Sequence, residues 1–154
     1  VKEYLIKGPL GFPVVDVSVT AFDGQYHAVD SSEIAFKTAA RIAMNEGMKQ
    51  CNPVLLEPIL QVDIAAPTEH TPKINAIVSG RRGQILGFNT RVGWTGWDVV
   101  SAHMPQSELH DLIIELRSAT QGTGSYTAEF DRLQELTGRL ADDVVTAHNE
   151  EVAA

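Results

Sequence analysis

The order of apolar periodicities along this 154-residue chain predicts an α+β fold. Two observations carry that reading. Between residues 59 and 131, period-2 and helical stretches follow one another as strand, helix, strand, strand, helix, strand. That is the ferredoxin-like βαββαβ order, which sets two helices on one face of a four-stranded sheet. Ahead of it stand one alternating stretch and one long helical stretch, a strand–helix segment for which this order has no place. The chain is therefore expected to divide into a segment of residues 1–58, a domain of residues 59–131 and a helical tail of residues 132–154.

The elements follow in order. Val15, Val17 and Val19 alternate with Asp16, Ser18 and Thr20, which reads as a strand over residues 14–22 with one buried face. Asp23-Gly24 marks a turn, because glycine tolerates positive φ. Asp30 is placed to cap a helix, with Glu33 three residues on reaching back to it. Phe36, Ala39, Ala40, Ala43 and Gly47 continue at helical spacing until Asn52-Pro53 ends the run. Leu60, Val62 and Ile64 then alternate with Gln61 and Asp63, and Pro67 closes that strand. Thr71-Pro72 reads as an N-cap followed by proline in the first turn. Ile74, Ile77 and Val78 give the helix its stripe, and Gly80 its end. Residues 84–90 and 96–104 read as strands, and Leu109, Leu112, Ile113 and Leu116 as an amphipathic helix. After a loop with Gly122 and Gly124 comes a strand with Tyr126, Ala128 and Phe130 on one face. Leu133, Leu136, Leu140 and Val144 predict the final helix.

Composition narrows the function. Hydrophobic residues make up 44% and charged residues 21%, as in a globular protein, and no apolar run nears the roughly 20 residues of a membrane span. Val1-Lys2-Glu3-Tyr4 lacks a signal-peptide layout, so a cytoplasmic protein without membrane contact is expected. Cys51 is the single cysteine and cannot form an internal disulfide. The five histidines show no metal-ligand spacing, so no metal site is expected. A net charge of −8 argues against a free-standing nucleic-acid module. Screening over about 8 Å nevertheless allows a local basic cluster to meet phosphate while acids sit elsewhere.

Catalytic signatures are missing. There is no G-x-x-x-x-G-K-[ST] loop to cradle phosphates, no N-K-x-D motif to read guanine and no G-x-S-x-G elbow. Gly80-Arg81-Arg82-Gly83 precedes a predicted strand instead of following one, so it is no dinucleotide fingerprint.

Four stretches are more specific. They are Asp23-Gly24-Gln25-Tyr26-His27-Ala28-Val29-Asp30-Ser31-Ser32, Pro53-Val54-Leu55-Leu56-Glu57-Pro58, Arg81-Arg82-Gly83-Gln84-Ile85-Leu86-Gly87, and Leu116-Arg117-Ser118-Ala119-Thr120-Gln121-Gly122-Thr123-Gly124. Gly8-Pro9-Leu10-Gly11-Phe12-Pro13-Val14-Val15 adds a fifth. In this order and register, from about residue 4 to 131, the chain resembles elongation factor G, the translational GTPase of translocation.

The resemblance implies the second half of that family's fourth domain (a fold like the second domain of ribosomal protein S5) followed by its ferredoxin-like fifth domain. It implies a ribosomal partner: rRNA and proteins at the stalk base, and tRNA–mRNA in the decoding region. Asp23, Gly24, Gln25, Tyr26 and His27 match the tip loop that enters the decoding region. Arg81, Arg82, Arg117 and Gln121 match positions of the fifth domain expected to face rRNA. Taken alone, Arg81 and Arg82 would be ordinary surface, and Arg117 would simply complement its helix C-terminus. GTP and magnesium are implied for a GTPase domain outside this sequence, and no catalysis or cofactor is expected of the chain itself. With only half of the fourth domain implied, the apolar faces of residues 1–58 lack partners. They are expected to pair with a second copy or to stay loose.

Departures from the family pattern also stand out. Gln25 replaces the usual serine, the Pro72–Val78 stretch is unlike the usual sequence, and Ala119 and Thr123 stand where basic residues are common. Trp94 to Trp97 and the acidic tail are atypical as well. These departures fit a paralogue used in ribosome recycling, rescue or protection. A ferredoxin-like module that binds a small molecule is the reading from another class.

Overall fold

A computed structural model describes residues 1–153, with side-chain burial through Glu151. The chain forms two compact units, residues 56–135 and residues 1–55 together with 136–154.

The unit that holds the chain's start begins with α1 (Lys2–Ile6) and a looped stretch that leads to α2 (Glu33–Gln50). No strand forms over residues 14–22. The alternating valines predicted one, but Asp16 takes φ +54, which interrupts extended backbone, and no neighbouring strand offers a ladder among the described residues. Val15 and Val19 stay about half exposed. The helix over 33–50 forms as predicted, with a different cap. Ser32 is the N-cap, its Oγ accepting from Ala35 N at 3.1 Å, while Asp30 turns to His27. Asn52 in the left-handed region, φ +48, turns the chain out of the helix. The unit's last element, α5 (Arg139–Ala153), starts after Gly138 at φ +70. Its His148 ring stacks on Phe12, centroids 4.1 Å apart, with Nε2 3.2 Å from the Gly11 carbonyl.

The second unit holds the sheet. Its strands are β1 (Leu55–Pro67), β2 (Gln84–Thr90), β3 (Trp97–Pro105) and β4 (Ser125–Leu136), in the spatial order β2-β3-β1-β4. The helices are α3 (Thr71–Gly80) and α4 (Leu112–Ala119). Both β1·β3 and β2·β3 are antiparallel, with Ile64 opposite Val100 and Phe88 opposite Val100 on the other side. This is the predicted ferredoxin-like arrangement. Alternation decides its core: Val62, Ile64 and Ala66 of β1 share a face with Val100, Ala102 and Met104 of β3. Ile74 and Val78 of α3 and Leu112 and Leu116 of α4 cover that face, every one of these at most 1% exposed. A register slip between Ile85 and Gly87 marks a bulge in β2.

Three local readings change. Thr71 lies inside α3, where its hydroxyl donates to Asp98 Oδ2 at 3.0 Å, and His70 occupies the cap position. The tail expected from residue 132 is strand as far as Leu136, because β1 is itself 13 residues long and gives its neighbour a ladder to follow. Leu133 and Leu136 therefore belong to β4 and not to the final helix. On β4 only Tyr126 packs against the core, while Phe130 is 64% exposed.

Candidate functional site

The loop before α2 carries Asp23, Gly24, Gln25, Tyr26 and His27, all exposed. Its base is organised by short-range polar bonds. Asp23 Oδ1 accepts from Gly24 N at 2.7 Å, and Ser31 Oγ accepts from His27 N at 2.8 Å. Ser31 N in turn donates to the His27 carbonyl at 2.9 Å. Such side-chain-to-backbone bonds hold a turn without secondary structure. The imidazole Nδ1 lies 3.0 Å from Asp30 Oδ2 on a side chain 70% exposed. Phe22, Tyr26 and Val29 are more than three-quarters exposed, so the loop presents aromatic and imidazole groups to its surroundings.

Arg81 and Arg82 occupy the turn from α3 into β2. Arg82 takes φ +55, and a Cβ on Gly83 would lie 2.7 Å from the Val78 carbonyl, so the sequence Arg-Arg-Gly is shaped by the turn itself. Both guanidinium groups find partners within the same unit. Arg81 Nε donates to Glu115 at 2.8 Å, and its Nη1 donates to the carbonyls of Glu108 and His110, each at 2.7 Å. Arg82 forks onto Glu57 at 3.0 and 2.9 Å and reaches Glu108 at 2.8 Å. Hydrogen bonding to Glu57, with Glu108 added, raises the Arg82 pKa against the opposing effect of burial. The two arginines thus tie the first residues of β1 and the approach to α4 to the α3–β2 turn. Their three acidic partners, Glu57, Glu108 and Glu115, had no signal in the sequence, since they lie 25 to 34 positions from the arginines they bind.

Arg117 and Gln121 lie at the other end of α4. The turn that follows is built around Thr120, which is fully buried. Its Oγ1 donates to the Leu116 carbonyl and accepts from Gly124 N, both at 2.7 Å. A Cβ on Gly124 would come within 2.6 Å of that oxygen, so glycine is required there. Gln121 at φ +55 and Gly122 at φ +87 complete the turn. Arg117 is exposed and has no ion pair among the described residues, in contrast to Arg81 and Arg82.

Other chemistry is sparse. Cys51 is exposed, and no cluster of three metal-ligating side chains exists among the described residues. A hollow of about 430 Å³ between α3 and α4 is lined by Ala76, Ile77, Gly80, Arg81, Glu108 and Glu115. Its charged groups already pair within the protein, leaving no converging polar set for a small molecule. No described helix is long and apolar enough to cross a membrane.

Comparisons with known proteins agree with this architecture. The family described as elongation factor G, domain IV matches residues 1–52, and elongation factor G C-terminus matches residues 54–144. An elongation factor G-like protein of Synechocystis sp. is 59% identical over 144 residues, which is 94% of this chain and 22% of that protein. A crystal structure of a Thermus thermophilus protein superposes with a TM-score of 0.87 at 37% identity, covering 97% of this chain and 22% of the other. The chain thus spans about a fifth of the length of the relatives it matches. These 154 residues hold two C-terminal segments of that architecture and no GTPase domain. On the family match, which covers well over half of its length, the chain belongs to the elongation factor G family.

Proposed function

We propose that this chain is a ribosome-contacting portion of an elongation factor G-like translation factor that works in translocation. The observation that carries the reading is the tandem match of domain IV and the C-terminus along one chain. In this reading the loop of Asp23, Gly24, Gln25, Tyr26 and His27 meets tRNA–mRNA in the decoding region. Arg117 and Gln121 meet rRNA beside the stalk base, because Arg117 has no carboxylate partner to leave among the described residues. Arg81 and Arg82 contribute mainly by fixing the shape of that surface. GTP and magnesium belong to a GTPase domain of the parent protein, and the protein works in the cytoplasm.

Pelleting the chain with ribosomes tests the contact. It should co-sediment at low salt and be released as salt rises, because phosphate contacts release counterions. Failure to co-sediment at low salt contradicts the reading. The chain incubated with GTP and magnesium should release phosphate only at background, and turnover that co-purifies with it contradicts the placement of the GTPase elsewhere.

A recycling, rescue or protection paralogue is the second reading, favoured by Gln25, Ala119 and Thr123. Two cations fewer beside RNA weaken electrostatic binding and flatten its salt dependence. Translocation and recycling assays on the full-length parent separate the two.

A further inference from the structure

The turn between β2 and β3 is an aromatic and cationic tip. Arg91 N donates to the Trp97 carbonyl at 2.8 Å and Trp94 N to the Arg91 carbonyl at 3.1 Å. Gly93 and Gly96, at φ +80 and +79, make the reversals. The indoles of Trp94 and Trp97 meet edge to face, centroids 5.0 Å apart. The Arg91 guanidinium lies 4.2 Å from the Trp94 ring centre and 5.6 Å from that of Trp97. A tryptophan serving only the core would be buried, yet Trp94 is 49% exposed and Val92 beside it 97%.

Charge points to the partner. From His70 to Trp97 the chain has no acidic residue, although it carries 20 acids against 12 bases overall. Of the four cations in that stretch, Arg81 and Arg82 are held by glutamates. Arg91 and Lys73 have no carboxylate partner among the described residues, and the Arg91 side chain has no hydrogen-bond partner there either. The flanking acids are otherwise engaged: Glu69 faces His70 at 3.3 Å, and Asp98 is buried and accepts from Thr71.

We propose that this hairpin tip is a stacking site for an unpaired RNA base, with Trp94 as the platform and Arg91 donating to the adjoining phosphate. The inference takes RNA as partner on the ribosome-contacting reading above. Exposed indole offers a π-face to any base, and a guanidinium with free N–H groups and no competing acid complements a phosphate. Every base has a π-face, so stacking on the indole selects for single-strandedness more than for sequence.

Trp94 and Trp97 are the only tryptophans in the chain, so indole fluorescence reports this hairpin alone. The test titrates the chain with a short single-stranded oligoadenylate carrying a 5′ fluorophore, read by anisotropy, and with the unlabelled oligonucleotide, read by indole quenching. Saturable binding with quenching is expected, and a blunt RNA duplex of equal length should bind more weakly. Trp94→Ala should weaken binding between about fivefold and about a hundredfold, and Trp94→Phe less, since stacking survives. Arg91→Gln should weaken binding and reduce its salt dependence by about one phosphate contact. Unchanged circular dichroism of each variant confirms folding.

Absence of saturable binding, or equal binding by Trp94→Ala and the parent chain, overturns the proposal. So does a Trp94→Ala variant that fails to pellet with ribosomes although the parent chain pellets and shows no affinity for the oligonucleotide, because the tip then grips protein. Ribosome pelleting of the parent chain, run alongside, keeps the two readings apart. If it persists without oligonucleotide binding, only the stacking site falls. If it fails while the oligonucleotide binds through Trp94, the stacking site stands and the ribosomal reading falls.

Discussion

Residues 56–135 gather ten fully covered apolar side chains into one core, whereas residues 1–55 with 136–154, a unit of similar length, bury only Met44 and Met48 among the described residues. The difference is not one of composition. Residues 1–55 hold Val15, Val19, Phe22, Ile34, Phe36 and Ile42, and all are about half exposed or more. What separates the units is whether apolar faces find a matching face. In the sheet, alternate residues of β1 and β3 meet the stripes of α3 and α4. The valines of residues 15–19 have no ladder, and α2 buries only Met44 and Met48, with the Ser32 cap and an exposed Lys37–Glu33 pair at 2.8 Å as local support. An exposed pair of this kind adds only about 0.3–0.5 kcal/mol.

Truncations should expose that contrast most strongly. Leu112→Ala or Ile64→Ala empties space in a closed core and should cost about 2–5 kcal/mol. Phe36→Ala removes a half-exposed ring and should cost no more than about 0.5 kcal/mol. Urea midpoints of the three variants check this, and equal losses would break the comparison.

Arg82→Ala should rank next. It strands Glu57, whose side chain is 13% exposed, and Glu108. Because the Arg82 side chain is itself 35% exposed, the loss should be about 1–2 kcal/mol, again read from the urea midpoint. Its pKa is raised in the folded state, so this contribution is fully present below the ordinary arginine range and is lost only as pH rises through the raised value. The difference between Arg82→Ala and the parent chain should therefore stay flat with respect to Arg82 ionisation through neutral and mildly alkaline pH.

Ser32→Ala should cost less than Arg82→Ala, about 1 kcal/mol, and it should stay local to α2. Hydrogen exchange should show faster opening over residues 33–40 with the core unchanged. Faster exchange in the core strands as well would mean that the two units melt together.

Where periodicity and local chemistry agree, the sequence was readable. The ferredoxin-like order, the α2 span and the Ile74/Val78 and Leu112/Leu116 stripes all follow from spacing. The valines of residues 15–19 show the limit: alternation describes a face suited to a strand, but strand formation also needs a neighbour and an uninterrupted extended backbone. Ser32 and Asp30 show another. Both residue types cap helices, and which one does so depends on Asp30 being drawn to His27. The candidate contact residues rest on motif position, and the structure leaves the 23–27 loop and Arg117 exposed. Motif position could not say that Arg81 and Arg82 face Glu57, Glu108 and Glu115, because pairs brought together by tertiary folding leave no mark on local spacing. The Arg91–Trp94–Trp97 cluster was visible only as an unusual pair of tryptophans.

Hydrogen exchange on the chain alone and bound to ribosomes tests the whole picture most directly, since it reads both the packing contrast and the proposed contacts. Free in solution, β1, β3, α3 and α4 should exchange slowest, and residues 15–32 should exchange near the rate of unstructured chain. Light scattering on the same sample establishes whether a second copy is present. On the ribosome, residues 23–27 and the segment from Arg117 to Gly124 should gain protection while the core stays as it was. Uniformly strong protection of both units in a strict monomer, with no change on adding ribosomes, would contradict the account.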